Sequence, residues 1–229
     1  MTRRERLRNA TLDEIKTTAW QQIAEHGAAG LSLREIARRM GVSTPALYRY
    51  YPDRDALVTA LIIDAFASFA EWLESERDKI LPDDHAGRFR ALGMAYRQWA
   101  ITYPQRYNLI FVTPIPGYRI PPEAETVGQR AFMVVVDILA SAYAAGKLRI
   151  SAEFIKLPKA MLGYLKSMFK ERSIPYPPEV FCLAIVAWNQ IHGAISLELH
   201  GILDSMLNGH KEAFFEHQIH ETMRQLRFE

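Results

Sequence analysis

Apolar residues recur every three to four positions along almost the whole chain, with no sustained alternating run bounded by Asn-Gly or Asp-Gly turns. The pattern predicts an all-α protein of about nine or ten helices. Thr11 with Glu14 three residues on has the form of a capping box, where hydroxyl and carboxylate take up N–H groups that a helix start leaves unpaired. A first helix is therefore expected over residues 11–26, with Leu12, Ile15, Ala19 and Ile23 on one stripe and Gly27 closing it. Ser32 with Glu35 repeats the start signal for a short second helix that buries Leu33, Ile36, Ala37 and Met40 and stops at Gly41. Ser43-Thr44-Pro45 opens a third, a hydroxyl cap followed by proline in the first turn, where no N–H is needed. It should end at Tyr51, because Pro52 biases the preceding residue away from helical geometry. Asp53 then caps a long fourth helix reaching about residue 80.

Pro82-Asp83-Asp84 breaks the chain, and further helices are expected over residues 86–103, 104–111, 123–145, 151–172, 178–200 and 210–227. A proline-rich loop should occupy residues 113–122. The segment 178–200 is apolar on two stripes, so it must be covered on both sides. One side should meet its own subunit and the other a second copy. Leu183, Ala187, Gln190, Ala194 and Leu197, with Phe214 and His217 from the last helix, are the expected interface of a homodimer. The expected organisation is a basic arm over residues 1–10, a helix-turn-helix domain over 11–58 and a larger helical domain over 59–229.

Composition narrows the picture. With 49% hydrophobic and 24% charged residues the 229-residue chain is globular, and its net charge of +2 is too small to imply a polyanionic partner alone. The distribution says more. Residues 1–55 hold ten basic and seven acidic residues, the remainder 18 and 19, so the excess sits at the front, in Arg3, Arg4, Arg6 and Arg8. Cys182 is the single cysteine, which rules out an internal disulfide and suits a cytoplasmic location, with the side chain expected as a small buried group. No apolar h-region follows Met1-Thr2-Arg3-Arg4-Glu5-Arg6, so no signal peptide is expected. Residues 56–69 and 180–188, the most apolar stretches, read as too short or interrupted (Asp64) to cross a bilayer, and no membrane partner is expected. His217 and His220 lie three apart, but nothing completes a tetrahedral metal site, and no phosphate loop, dinucleotide fingerprint or nucleophile elbow appears. No enzyme, metal or cofactor is expected.

Two short helices joined by a glycine-containing turn fit a helix-turn-helix. Neither is stable alone in water, so Leu33, Ile36, Ala37, Val42, Leu47 and Tyr51 should lean on the first and fourth helices. Thr44, Pro45, Ala46, Tyr48, Arg49 and Tyr50 are then left facing outward. Small residues at the start of the third helix let it approach base edges in a major groove, while tyrosine hydroxyls and an arginine suit phosphates. Helix starts at Ser32 and Asp53 present N–H groups to phosphate oxygens, and Arg54 adds a charge beside such an end. The expected DNA-binding set is Ser32, Ser43, Thr44, Pro45, Ala46, Tyr48, Arg49, Tyr50 and Arg54.

Residues 32–57, with Ser32-Leu33, Ile36-Ala37, Gly41-Val42-Ser43, Ala46-Leu47-Tyr48, Pro52-Asp53 and Ala56-Leu57, resemble the DNA-binding signature of the TetR family of bacterial regulators. Tyr50 stands where histidine is typical, Tyr51 where phenylalanine is and Arg54 where lysine is. Trp188-Asn189-Gln190-Ile191-His192-Gly193, followed by Ser196-Leu197-Glu198, resembles the Trp–His–Gly segment of one C-terminal class of that family. The resemblance implies an all-helical homodimer whose last two long helices form a four-helix interface, and a ligand cavity among the middle helices. Met94, Trp99, Tyr103, Tyr107, Phe111, Met133, Met161, Tyr164, Trp188 and His192 are the candidate lining, since aromatic and methionine-rich walls suit an apolar or aromatic small molecule. The expected function is a ligand-responsive, sequence-specific transcriptional regulator, most simply a repressor released from a palindromic operator. The alternative is a DNA-binding protein whose C-terminal domain docks a protein partner.

Overall fold

The computed structural model describes residues 1–112, 115, 117–150 and 157–228, and among these eleven α-helices and no strand. The helices are α1 (Arg3–His26), α2 (Leu33–Arg39), α3 (Thr44–Tyr48), α4 (Arg54–Asp78), α5 (His85–Thr102), α6 (Pro104–Tyr107), α7 (Pro122–Ala144), α8 (Lys159–Glu171), α9 (Pro178–Leu199), α10 (Asp204–Leu207) and α11 (Lys211–Gln225). A single π-helical turn, Asn108–Val112, continues α6. The all-α class is as the periodicity predicts. The chain forms two compact units, Met1–Ser68 with Tyr103–Gly128, and Phe69–Thr102 with Gln129–Glu229.

In the first unit Ile15, Ala19 and Ile23 of α1, Leu33 and Ile36 of α2, Leu47 of α3 and Leu57 and Leu61 of α4 are buried. The start of α1 differs from expectation. Thr2 and Glu5 form the capping box, the Glu5 amide donating to Thr2 Oγ1 at 3.2 Å and the Thr2 amide to Glu5 Oε2 at 2.7 Å. Thr11 lies inside the helix, its hydroxyl donating to the Leu7 carbonyl at 3.0 Å. Residues 3–10, expected as an arm, are the first turns of α1, because no glycine or proline interrupts Arg3-Arg4-Glu5-Arg6-Leu7-Arg8-Asn9-Ala10. The third helix also ends early, at Tyr48. The amides of Tyr50 and Tyr51 both bond back to the Leu47 carbonyl, at 2.9 and 3.1 Å, as a tight turn ahead of Pro52.

In the second unit α5, α9 and α11 pack on one another, with α8 against α9. Gly93 of α5 leaves room for Ile219 of α11, since a Cβ there would stand 2.7 Å from Ile219 Cδ1. Arg97 of α5 forks onto Glu198 of α9 through Nε and Nη2 at 2.8 and 2.7 Å, both side chains buried. Cys182 is buried beside Leu165 and Phe169, as its expected role requires, and desolvation pushes its thiol up. Helix α8 begins at Lys159, directly after Pro158; the expected start at residue 151 lies outside the described residues. Helix α10 was not foreseen, being only four residues long.

By length and composition α4, α7 and α9 are each long and apolar enough to cross a membrane, contrary to the expectation from uninterrupted apolar runs. That expectation counted the run around Asp64 as broken, whereas hydropathy averaged over a whole helix tolerates one charge. Between 39% and 50% of these windows is buried inside the protein itself.

Candidate nucleic-acid interface

Ser32 caps α2 by accepting from the Glu35 amide at 3.5 Å, and its own amide donates to Gln22 Oε1 of α1 at 2.9 Å. This fixes where α2 leaves α1. Gly41, at φ +68°, makes the turn into α3 in the left-handed region that an L side chain resists. With Leu47 buried and the turn set, α3 has one inward and one outward face. Pro45 and Tyr48 (43% exposed) and Arg49 point to solvent, with Thr44, Ala46 and Tyr50 half-buried. Ser43 precedes α3 with an exposed hydroxyl that makes no cap hydrogen bond. The small start of α3 and its hydroxyl-and-guanidinium end are therefore presented together, as expected. Val42, expected inside, is 39% exposed because the glycine turn carries it outward.

Two expected members are engaged within the protein. Arg54 Nη2 donates to the carbonyls of Ala28 and Ala29 at 3.0 and 3.3 Å, tying the start of α4 to the 3-10 turn after α1. This contact helps to position the helix-turn-helix. Ser32, half-buried, serves mainly as the α2 cap. Tyr51 supplies the buried aromatic bulk that the family signature places there, and burial pushes its phenol up. Sequence reasoning missed a neighbouring feature. Arg49 and Tyr50 share a groove of about 630 Å³ with Arg3, Arg4, Leu7, Arg8 and Thr11 of α1. The arginine cluster was visible, but an arm of unknown course could not be placed beside α3.

The candidate effector residues divide between the two units. Tyr103, Tyr107 and Phe111 belong to the first, the rings of Tyr107 and Phe111 tilted at 55° with centroids 5.2 Å apart. In the second, Trp99 and Trp188 join Phe69, Tyr96 and Phe132 in an aromatic cluster. The centroid distances are 4.6 Å for Phe69–Tyr96 and Phe69–Trp99, 5.1 Å for Tyr96–Trp188 and 5.8 Å for Phe132–Trp188. His192 joins it through a 2.6 Å hydrogen bond between its Nδ1 and the Tyr96 hydroxyl, and burial lowers its pKa, favouring the neutral ring. Tyr96, Phe69 and Phe132 were not among the expected lining, although Tyr96 lies three residues before Trp99 on the same face. Met133, Met161 and Tyr164 lie on exposed surface, Tyr164 at 67%, and Met94 borders a separate shallow groove with Trp72 and Gln98.

Of the expected dimer residues, Leu183, Ala187 and Ala194 are buried within their own subunit and so do not form an outward face. Their helix is apolar all round, and periodicity alone could not say which stripe turned inward. Gln190, Leu197 and His217 are exposed and Phe214 half-buried. Gln190 bridges α9 to α11, its amide donating to Gln225 Oε1 at 3.0 Å and its oxygen accepting from Thr222 at 2.9 Å. Phe214, His217 and Gln218 continue that surface as a groove.

These features define a DNA-binding helix-turn-helix in an all-helical protein with a second helical unit. Residues 15–61 match the family described as "Bacterial regulatory proteins, tetR family" and residues 89–222 that described as "Tetracyclin repressor-like, C-terminal domain". The chain belongs to the TetR family of transcriptional regulators, which are not enzymes. The C-terminal match carries that general description and not the Trp–His–Gly class. HTH-type transcriptional regulator Rv1816 of Mycobacterium tuberculosis and Mb1846 of Mycobacterium bovis are each 35% identical over 182 residues, covering 79% of this chain and 77% of theirs. The crystal structure of SCO4313 is 38% identical with a TM-score of 0.79, covering 97% of this chain and 100% of that one. A protein of unknown function from Rhodococcus sp. RHA1, 23% identical, shares the fold at a TM-score of 0.70 over 94% and 93% of the two chains.

Proposed function

We propose that the chain acts as a ligand-responsive repressor in the cytoplasm. A homodimer binds a palindromic operator through Ser43, Thr44, Pro45, Ala46, Tyr48, Arg49 and Tyr50, and a small apolar or aromatic effector releases it. The observation that carries the DNA-reading part is the outward face of α3, small at its start and bearing Tyr48 and Arg49 at its end. Membership of a regulator family supports it. The effector reading rests on the aromatic cluster around Trp99 and Trp188, where Tyr96 and His192 supply a polar pair inside an apolar wall. Release requires only that the effector prefer a conformation whose two α3 helices no longer match both half-sites.

Selection of duplexes from a random pool by the full chain tests the DNA-reading part. A palindromic site should emerge, and the double variant Tyr48→Ala/Arg49→Ala should bind it about tenfold more weakly or worse, with its oligomeric state unchanged. Unaltered affinity would overturn the docking of α3. A second reading, docking of a protein on the second unit, is favoured by the exposed Met161 and Tyr164 of α8. The double variant Met161→Ser/Tyr164→Ser separates the two. An effector inside the aromatic cluster predicts unchanged induction of a reporter, whereas a docked protein predicts its loss.

A further inference from the structure

Of the basic side chains in the helix-turn-helix region, one set is paired within the protein and a second set of four lines one groove, while Arg6 and Arg34 belong to neither. Arg38 and Arg39 grip Glu35, at 2.7 and 3.0 Å, and Arg39 also grips Glu25 at 2.6 Å. Hydrogen bonds from Arg38 and Arg39 hold the Glu35 carboxyl down to about 2. Lys16 pairs with Asp64 at 2.6 Å, and Arg54 donates to backbone carbonyls. These cations are satisfied internally. Arg3, Arg4, Arg8 and Arg49 have no ion pair or hydrogen bond from their guanidinium groups to any described residue, and all four line the single groove shared by α1 and the turn that ends α3. No carboxylate lines it. Glu5, the nearest acid in sequence, is turned back onto the Thr2 amide.

Four uncompensated cations around one trough repel each other, so the groove is electrostatically set for a polyanion. Its α1 wall runs from Arg3 to Thr11, about 12 Å of helix at 1.5 Å per residue, enough to follow more than one phosphate of a strand. Tyr50 adds a hydroxyl donor, the kind of side chain that phosphate oxygens accept from beside arginine. The other wall is Arg49-Tyr50, directly continuous with the outward face of α3.

We infer that this groove holds the sugar–phosphate backbone of one DNA strand next to the base pairs that α3 reads, making the first turns of α1 a backbone clamp. The inference rests on the proposed DNA reading of α3 and extends its footprint. It also assigns Arg3, Arg4 and Arg8 a site, where the sequence offered only a basic terminus.

The test uses the full chain, the duplex it selects from a random pool, and the triple variant Arg3→Gln/Arg4→Gln/Arg8→Gln. Glutamine keeps good helix propensity, and an unchanged circular dichroism spectrum verifies α1. Each phosphate contact contributes about 0.9 to the slope of log affinity against log salt, so the slope should fall by about two to three per bound subunit. Hydroxyl-radical protection of the backbone flanking the core should vanish while protection of the core stays. The single variant Arg4→Gln should lower the slope by about one. A full slope and intact flanking protection in the triple variant would overturn the clamp and leave α3 reading in place. Loss of binding to vesicles of anionic phospholipid with the duplex slope unaltered would overturn it equally, by assigning the groove to a membrane. A wild-type chain that prefers no duplex would instead remove the DNA reading, and the clamp with it.

Discussion

Arg97 and Glu198 bury a complete ion pair, with side chains 10% and 7% exposed and two parallel hydrogen bonds between them. Arg97 also lies 5.8 Å from the Phe215 ring centroid, so the pair connects α5, α9 and α11. Desolvation makes such a pair a poor source of net stability, yet removing one partner strands the other charge in a poorly solvated site. Arg97→Met should therefore destabilise the protein by about 3–5 kcal/mol in urea unfolding. The double variant Arg97→Met/Glu198→Leu should recover most of the loss, because no buried charge remains. A double variant as unstable as the single would mean that the pair's geometry, and not its uncompensated charge, sets the cost. Periodicity could not reveal this pair. Arg97 and Glu198 lie 101 residues apart, and each reads as an ordinary polar position on its own helix.

At the scale of elements, much of the fold was legible because helix starts are written in local chemistry. Ser32 with Glu35, Pro45 behind Ser43 and the left-handed Gly41 fix α2, the turn and α3 without tertiary information. The outward face of α3 followed from placing Leu47 inward. The start of α1 was harder, since Thr2/Glu5 and Thr11/Glu14 are equally good capping boxes and only continuity of the helix chooses between them. The choice matters, because it turns residues 3–10 into a rigid wall of the basic groove. Thr2→Ala removes the hydroxyl that accepts from the Glu5 amide, a cap worth about 1 kcal/mol, at an exposed helix end remote from the core. Hydrogen exchange of the amides over residues 3–8 should quicken about fivefold. The thermal midpoint should stay within a degree or two, since fraying there exposes little apolar surface. Unchanged exchange would show that α1 is held at its start by something other than this box.

For the whole molecule the question is what covers the outer side of α9. This helix buries Leu183, Ala187, Ile191, Ala194 and Ile195 in its own subunit, yet Leu197 remains 41% exposed, about two turns along the helix from Gln190, which lines a groove with Phe214 and His217 of α11. Which stripe turned outward was not legible, because a helix apolar on nearly every side gives periodicity nothing to separate. A second copy presenting the same surface would bury Leu197 against its equivalent in a symmetric interface. Leu197→Glu would place like charges opposite each other there at no cost to the subunit's own core. Light scattering should then find lone subunits at micromolar concentration where the parent chain should be a dimer, with circular dichroism unaltered. Binding to a palindromic duplex should fall toward that of a single half-site, since two α3 helices read two half-sites only when something holds them at the right spacing. A variant that stays dimeric would place the interface elsewhere, and one that dissociates yet binds the palindrome undiminished would separate DNA reading from dimerisation altogether.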